Sequence, residues 1–366
     1  MSLYLANRLF TGEEMLLHYA IIVNDDGTIR DILPQSQLSN NAKETASTYE
    51  ILTPAFIDIQ IYGAGGKLLS VYPEVDALQK LYNYCKSGGA SHFLPTVATN
   101  SYDVFYNSIN AVKAYWLAGG KGCLGLHIEG PWLNPKKRGA HIESFIHSPT
   151  LEQVSRLLDA DEGVIKIITL APEVCSDEVI KLIQSRGIII SAGHSNASLQ
   201  LANLALTKGI NIVTHLYNAM SGLQHREPGL VGASFIHKSA MASIVVDGHH
   251  VNFDAVKIAH KQMQGRLFCI TDAVTETTQG PYCHKKEGEK YTSNNILSGS
   301  ALTMAKALQN LVYEVDIELE EALRMVSLYP AKAIKLDNEL GEIKVGCKIN
   351  FTALDNDLNV VDVLTS

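Results

Sequence analysis

The sequence predicts an α/β fold, namely a (β/α)8 barrel of the TIM type with a small β-sandwich domain built from both chain ends. Eight short apolar segments alternate with amphipathic helical patterns through the middle of the chain, which is typical of this barrel. Both chain ends contain short apolar segments separated by turns, which indicates a separate β domain. The rival fold is a doubly wound open sheet, but no G-x-G-x-x-G motif follows the first apolar segment.

Composition limits the class of protein and its partners. The chain has 366 residues, of which 46% are hydrophobic and 19% are charged, as in ordinary soluble globular proteins of one or two domains. A net charge of -8 argues against nucleic acid and anionic membranes as partners, although a local basic pocket can still bind a small anion. The cysteines form no C-x-x-C pair, and neither a signal peptide nor a membrane-spanning run is visible. We therefore expect a cytoplasmic protein with reduced thiols.

The chain ends share one pattern. Asp26-Gly27 lies between two apolar pieces and predicts a β-hairpin. Residues 341–355 and 359–364 have the same strand-and-turn character. We therefore predict a small β-sandwich domain from residues 1–50 and 340–366, and a catalytic barrel domain from residues 51–339.

The barrel elements follow from periodicity. The predicted strands are Ala55–Tyr62, His92–Ala98, Cys123–Ile128, Ile165–Leu170, Ile188–Ser191, Asn211–Thr214, Ser243–Val246 and Leu267–Thr271. The predicted helices between them include Asp76–Ser87, Ser101–Ala118, Leu151–Leu158, Asp177–Ser185 and Ala197–Lys208. Residues 275–294, after the last strand, are polar throughout, which predicts a flap over the functional end of the barrel.

Four side chains with metal or proton chemistry stand where predicted strands end. Glu129, His194, His215 and Asp272 each directly follow an apolar run or lie within two residues of its end. Because functional groups of a TIM barrel collect at the carboxyl ends of its strands, we expect the four to lie together. A carboxylate and two imidazoles bind a catalytic divalent metal and leave one position open for water. We predict Glu129, His194 and His215 as that ligand set.

Each of these residues also has a simpler interpretation. A lone histidine is more often structural than a metal ligand, and an aspartate after a strand commonly caps the next helix. It is the combination at the ends of separate strands that favours the metal site. In that setting Asp272 is predicted to act as general base, taking a proton from water and returning it to a leaving amine.

Further polar residues lie in loops near the predicted ligands. Arg226 is placed to clamp a phosphate or carboxylate, although most loop arginines are merely solvated. His249 or His250, after another predicted strand, is placed to reach the substrate. His141 follows a basic run and would be an ordinary surface residue without Glu129 nearby.

Several motifs together resemble one known family. They are Ala55–Gly63, Gly125–Trp132, Ala192–Ser195, Thr214–Met220, Arg226–Gly229 and Leu297–Met304. In this order they resemble the N-acetylglucosamine-6-phosphate deacetylases of the amidohydrolase superfamily. The resemblance runs from about residue 51 to the chain end and is weaker in the first fifty residues.

The resemblance implies roles for individual residues. It implies one divalent metal ion per subunit, held by Glu129, His194 and His215, with Asp272 as catalytic acid and base and His141 polarising the acetamide carbonyl. Zinc is the first expectation, and iron, manganese and cobalt accept the same ligands. It also implies a phosphorylated N-acetyl amino sugar as substrate and a homodimer with sites near the subunit interface. The predicted sugar contacts are Ala140, Asn218, Ala219, Leu297, Ser298 and Gly299, and the predicted phosphate ligands are Arg226 and His250, one of them from the neighbouring subunit.

One departure and several alternatives accompany this interpretation. Many amidohydrolases carry His-x-His on the first strand to support a second metal, whereas this chain has Gln60 and Tyr62, which favours a single metal. The galacto-configured substrate, N-acetylgalactosamine 6-phosphate, remains an alternative because no residue distinguishes the two sugars. A dihydroorotase-like cyclic amidase is disfavoured by the missing His-x-His. The alternative from a different class is a catalytically inactive phosphosugar-binding protein, against which the intact set of four strand-end residues speaks.

Overall fold

The computed structural model describes all 366 residues, Met1–Ser366. Eight parallel strands form one sheet in which each strand lies beside the next one along the chain. This sheet confirms the predicted barrel, and we number its strands one to eight. Their bounds are Phe56–Ile61, Ala90–Ala98, Leu126–Glu129, Ile165–Leu170, Ile189–Ala192, Ile212–Val213, Met241–Ile244 and Leu267–Cys269.

The barrel is nearly closed by contacts between the ends of strands one and eight. The backbone N–H of Asp272 donates to the carbonyl of Gln60 at 3.0 Å, and that of Tyr62 donates to the carbonyl of Ala273 at 2.9 Å. Every residue of strand one is buried, as expected for a parallel sheet covered on both faces. The closure places Gln60 and Asp272, which are far apart in sequence, next to each other at the rim.

Helices follow the strands, and the five predicted ones are present, one with its predicted ends and four with ends shifted by one to three residues. Thr150 and Gln153 form a capping box that fixes the start of one of them. The α-helices are Asn40–Glu44, Val75–Ser87, Tyr102–Leu117, Leu151–Asp161, Asp177–Ser185, Leu199–Thr207, Gly229–Ile236, Phe253–Met263, Met304–Tyr313, Leu319–Val326 and Leu328–Ala333. Short 3-10 turns span Gln35–Gln37, Pro135–Lys137, Glu143–Phe145, Pro172–Val174 and Gln264–Arg266. None of the helices combines the length and the apolar character that crossing a bilayer requires.

Strands from both chain ends form a second sheet, which confirms the small β domain. Met15–Val23 pairs antiparallel with Ile29–Pro34, so the predicted hairpin is present. Leu9, Ile21 and Phe351 lie in its buried core. The six strands of this sheet are Ser2–Phe10, Met15–Val23, Ile29–Pro34, Ser47–Pro54, Asn350–Leu354 and Val360–Thr365.

The polar segment after strand eight has its own structure. Lys285–Glu287, Lys290–Ser293 and Ile296–Ser300 form a three-stranded antiparallel sheet, which we call the flap sheet. A two-stranded ribbon, Gly63–Ala64 with Lys67–Leu68, follows strand one. Leu68, Val274, Tyr282 and Tyr291 form a small buried cluster that gives this polar region an apolar core.

The chain divides into two compact units. One comprises Met1–Asp58, Cys85–His92 and Thr303–Ser366, and the other comprises Ile59–Tyr84 and Phe93–Leu302. The predicted boundaries assigned residues 51–58, 85–92 and 303–339 to the barrel domain, whereas these segments group here with the chain ends. The exact domain boundaries therefore stay a prediction, and every site residue described below lies in the second unit.

Candidate active site

Three histidines surround the carboxylate of Glu129 at the end of strand three. Nε2 of His141 lies 3.0 Å from Oε2, Nε2 of His215 lies 3.1 Å from Oε1, and Nε2 of His194 lies 3.4 Å from Oε1. All four side chains are buried. Side chains that lie between 12 and 86 residues from Glu129 in the sequence therefore meet around its carboxylate. We call these four residues the histidine cluster.

The backbone turns sharply where the strands end. His194, His215 and Asp272 all have positive φ, at 47°, 37° and 55°, a region that residues other than glycine rarely adopt. Gly193 precedes one of them, and a Cβ atom there would come within 2.7 Å of the side chain of Thr169. Only glycine fits at that position, so the local sequence lets the chain turn and direct His194 over the barrel rim.

The hydrogen bonds of His194 define its protonation. Its Nδ1 lies 2.9 Å from the carbonyl oxygen of Lys137. Burial, aided by the nearby charge of His141, lowers the pKa of His194 to about 4, so its ring is neutral at pH 7. A neutral ring that donates from Nδ1 to a carbonyl presents the lone pair of Nε2 to the cluster. This is the arrangement typical of histidine metal ligands.

The charges of the cluster act on one another. Burial alone would raise the pKa of Glu129, but the electrostatic interactions and hydrogen bonds with His141 and His194 outweigh it and hold that pKa well below its usual range. Burial alone would lower the pKa of His215, but its hydrogen bond to Glu129 and the negative charges nearby raise it. Glu129 is therefore an ionised carboxylate, and a cation placed there would meet a negative charge.

Gln60 and Tyr62 contact both carboxylates of the site. Nε2 of Gln60 lies 3.1 Å from Oε1 of Glu129 and 2.9 Å from Oδ1 of Asp272. The hydroxyl of Tyr62 donates to Oε2 of Glu129 at 2.5 Å. These two side chains occupy the strand-one positions where many amidohydrolases carry metal-binding histidines, and here they supply hydrogen-bond donors to the carboxylates. Burial raises the pKa of Tyr62 well above its ordinary value, so the hydroxyl keeps the proton that it donates.

Asp272 lies at the rim beside this cluster. Burial raises the pKa of its carboxyl group, and the charge of Glu129 adds to the effect while the charge of His215 opposes it. Asp272 also lines the large cavity described below. It is therefore a carboxylate with an enhanced tendency to hold a proton, placed where a bound molecule can reach it.

The donor set fits a divalent metal ion. One ligand atom each from Glu129, His141 and His194 lies within 4.8 Å of the others. Nε2 of His215 adds a further donor, 3.0 Å from Nε2 of His194. Imidazole nitrogens and a carboxylate at such spacings suit one ion with metal–ligand distances of about 2.0–2.2 Å. His141 lies within this group as well, although the family resemblance implies that it acts on a carbonyl.

A cavity of about 840 Å³, including its open mouth, lies over the histidine cluster. Tyr282 and His284, from the segment leading into the flap sheet, form part of its wall. The predicted sugar-contacting residues all line it, and they are Ala140, Asn218, Ala219, Leu297, Ser298 and Gly299.

The two predicted phosphate ligands lie in different places. His250 lines the cavity, and its Nδ1 lies 2.6 Å from Oδ2 of Asp247. Burial alone would raise the pKa of Asp247, but the hydrogen bond and charge of His250 lower it, so this carboxylate is ionised beside the imidazole. Arg226 is exposed and does not line the cavity of its own chain.

Several residues of this site were not predicted from the sequence. Asp247 stands three residues before His250, and that spacing was a usable signal for a paired aspartate and histidine. Leu68, Ser70, Val274 and Tyr282 also line the cavity. No sequence signal distinguishes these four from ordinary loop or core residues, because only the fold brings them to the cavity.

Comparisons with known proteins identify the family of this chain. The sequence profile of the amidohydrolase family matches residues 51–366, and that of the NagA composite domain matches residues 5–46. An N-acetylglucosamine-6-phosphate deacetylase of Haemophilus influenzae is 32% identical, over 98% of this chain and 96% of that protein. An N-acetylgalactosamine-6-phosphate deacetylase of Escherichia coli O157:H7 is 30% identical, over 98% of this chain and 96% of that protein.

A solved structure extends the likeness to the whole fold. The crystal structure of an N-acetylglucosamine-6-phosphate deacetylase from Pasteurella multocida superimposes with a TM-score of 0.91 at 33% identity, covering 99% of this chain and 98% of that one. The family resemblance expected from the motifs is thereby confirmed. This chain belongs to the amidohydrolase family, in the group that contains the N-acetylglucosamine-6-phosphate deacetylases.

Proposed function

We propose that this protein hydrolyses the acetamide bond of N-acetylglucosamine 6-phosphate and releases glucosamine 6-phosphate and acetate, a step of amino-sugar catabolism. The observation that carries the proposal is the convergence of Glu129, His194 and His215 beside Asp272 in one cavity. Relatives that share about a third of the sequence over nearly the whole chain bear the name of this activity.

The residues of the site divide the chemistry among them. A divalent cation held by Glu129, His194 and His215 would supply Lewis acidity, which lowers the pKa of water and polarises a carbonyl group. Asp272 takes a proton from the attacking water at its carboxylate oxygen and transfers it to the nitrogen of the departing amine. Gln60 holds Oδ1 of Asp272 at 2.9 Å and thereby orients the carboxylate for both transfers. His141 donates to the acetamide oxygen, a role supported by its position in the wall of the cavity.

We propose one zinc ion per subunit, with iron, manganese or cobalt as alternatives that the same ligands accept. The single ion is supported by Gln60 and Tyr62, which fill the strand-one positions with hydrogen-bond donors in place of ligands. Metal analysis of protein purified without chelator should give about one equivalent per chain. Two equivalents would contradict this stoichiometry.

An acetate-release assay tests the activity directly. With added zinc, we expect the chain to release acetate from N-acetylglucosamine 6-phosphate with a kcat/KM at least about a hundredfold above that for N-acetylglucosamine, since the phosphate supplies charged contacts. N-acetylgalactosamine 6-phosphate belongs in the same assay, because two relatives are named as deacetylases of that sugar. A higher kcat/KM for the galacto sugar would replace the gluco assignment with this alternative.

Asp247 is expected to position His250 for the phosphate. Asp247→Asn keeps an oxygen that accepts from the backbone N–H of His249 and His250, but it removes the negative charge beside Nδ1 of His250. We expect the KM for the phosphosugar to rise about tenfold while kcat changes less than about threefold, as for loss of one charge-assisted contact. KM for unphosphorylated N-acetylglucosamine should stay as in the wild type, and an equal rise for both sugars would contradict the role.

We further propose a homodimer in which Arg226 serves the cavity of the neighbouring subunit. Arg226 is exposed and lies outside its own cavity, although the substrate carries a phosphate that an arginine would bind well. Helices Leu199–Thr207, Gly229–Ile236 and Phe253–Met263 pack side by side near this loop in the chain. They and the adjacent loop carry exposed apolar side chains that a second copy would cover, namely Leu201, Leu204, Leu223, Ile236 and Ile258.

Subunit mixing tests this arrangement. Arg226→Ala and Asp272→Asn chains should each be nearly inactive alone. In a mixed dimer, one site combines the intact Asp272 of one chain with the intact Arg226 of the other. Random exchange at equal concentrations should therefore restore about a quarter of wild-type activity. A tagged copy shows whether the chains exchange. If they exchange and no activity returns, the shared site is contradicted.

The compartment is also a proposal. All six cysteines are free thiols, with no disulfide in the structure. Free thiols are typical of reducing compartments. Together with phosphosugar chemistry, this supports a cytoplasmic enzyme.

A further inference from the structure

His284 is a buried histidine that the proposed mechanism leaves without a role. It is 6% exposed, yet it lines the cavity over the histidine cluster. Its neighbours Cys283 and Lys285 are exposed, so the chain here alternates between the cavity and solvent. Burying an imidazole is costly unless its polar atoms are satisfied, so this position calls for a partner on both nitrogens.

One of these partners is within the protein. Nδ1 of His284 lies 2.9 Å from Oγ of Ser298, and Ser298 belongs to the flap sheet and also lines the cavity. The imidazole ring stacks on the ring of Tyr282, with 6.3 Å between the ring centroids and an angle of 10° between the ring planes. Tyr282 is itself held by a hydrogen bond from its hydroxyl to the carbonyl of Thr99 at 2.6 Å. The ring of His284 is thus held in place, while its Nε2 has no hydrogen-bond partner in the chain and remains for a bound molecule.

The chemistry of the pair suits a hydroxyl group. Burial lowers the pKa of His284 to about 4, so the ring is neutral at pH 7. A neutral imidazole joined to a serine hydroxyl offers one donor and one acceptor, which complements a hydroxyl that both donates and accepts. His250 has a different partner, the carboxylate of Asp247, and is the residue proposed above for the phosphate. His284 also makes no hydrogen bond to the histidine cluster, so the pair is separate from the acetamide chemistry.

We propose that His284 and Ser298 together recognise a ring hydroxyl of the substrate and so contribute to selection of the sugar. This inference rests on the proposed function, since it names how the same cavity chooses among N-acetyl amino sugar phosphates. Nε2 of His284 and Oγ of Ser298 contact the hydroxyl, and stacking on Tyr282 fixes the direction of the imidazole. The pair acts in binding and specificity, and Asp272 retains the proton transfers.

A cycle that pairs enzyme variants with substrate analogues tests the proposal. The metal-loaded wild type, His284→Ala and Ser298→Ala are each assayed for acetate release from N-acetylglucosamine 6-phosphate, its 3-deoxy and 4-deoxy analogues, and N-acetylgalactosamine 6-phosphate. In the wild type, loss or inversion of the recognised hydroxyl should lower kcat/KM about tenfold. In the two variants that penalty should shrink to less than about threefold, because the partner of the hydroxyl is already missing.

A second readout separates recognition from a structural role. On the parent substrate, His284→Ala should raise KM about tenfold and lower kcat less than about threefold, and His284→Asn, which keeps a polar group, should recover part of the loss. Lys285→Ala is the matched control, because its side chain is the exposed neighbour of His284. Its kinetics should match the wild type on every sugar. If His284→Ala fails to fold, as shown by its thermal unfolding, Ser298→Ala and His284→Asn carry the same test.

Failure of hydroxyl recognition by His284 and Ser298 can be distinguished from failure of the proposed deacetylase function. In one outcome the wild type releases acetate, but each analogue lowers kcat/KM by the same factor in the wild type and in the variants. That result would overturn the role of the pair and leave the proposed function standing. Wild type that releases no acetate from any of these sugars would overturn both.

Discussion

Asp272→Asn is expected to lower kcat by about three to four orders of magnitude while the protein keeps its metal. Asparagine has nearly the same shape and still offers Oδ1 to Nε2 of Gln60, which lies 2.9 Å away in the wild type. It lacks the basic oxygen that accepts a proton from water, and it has no proton to return to the amine. Steady-state acetate release measures kcat, and elemental analysis of the same sample measures the metal.

The control for this variant is a carboxylate outside the cavity. Asp254 is exposed in helix Phe253–Met263, and Asp254→Asn should match the wild type in both measurements. Full turnover by Asp272→Asn would rule out the proton transfers assigned to Asp272. Loss of metal together with activity would instead make Asp272 a ligand, contrary to the set proposed above.

Glu129→Gln is expected to abolish both metal binding and activity. Glu129 is the one carboxylate in the predicted ligand set, and its oxygens are contacted by His141, His215 and Tyr62. A neutral amide keeps the shape but removes the negative charge, and amides are poor ligands for zinc. We expect metal content below about 0.1 per chain and a fall in kcat/KM of at least about four orders of magnitude.

Thermal unfolding gives a readout that does not depend on activity. A metal that binds only the folded state stabilises it, so zinc should raise the Tm of chelator-treated wild type. The Tm of Glu129→Gln should respond much less. Glu162→Gln is a matched control, because that side chain is 75% exposed, and its Tm should rise with zinc as in the wild type. An equal rise for Glu129→Gln would contradict the ligand role of Glu129.

The elements of the barrel could be predicted because they depend on local pattern. A short apolar run such as Ile165–Leu170 makes a buried parallel strand wherever it is covered on both faces, and the observed bounds equal the predicted ones. Helix Asp177–Ser185 is likewise found with its predicted ends, capped by Ser176. The alternation of these elements then leaves few arrangements other than a barrel.

The geometry of a barrel also explains why part of the site could be predicted from the sequence. Strand ends of a barrel meet at one rim, so the sequence placed Glu129, His194, His215 and Asp272 near one another before any distance was known. Residues close together in the sequence, such as Asp247 and His250, could also be predicted, although only His250 was. The flap sheet was foreseen only as a polar segment, because its strands are short and their apolar residues few.

The fold class, the rim and the residue types that meet there follow from patterns along the chain. The facing atoms follow only from the folded chain: Tyr62 donates to Glu129, Gln60 bridges Glu129 and Asp272, and His284 pairs with Ser298 inside the cavity. These contacts join different elements, separated by between 14 and 212 residues in the chain. Their geometry depends on how strand one closes against strand eight and on how the flap sheet folds, which no local periodicity records.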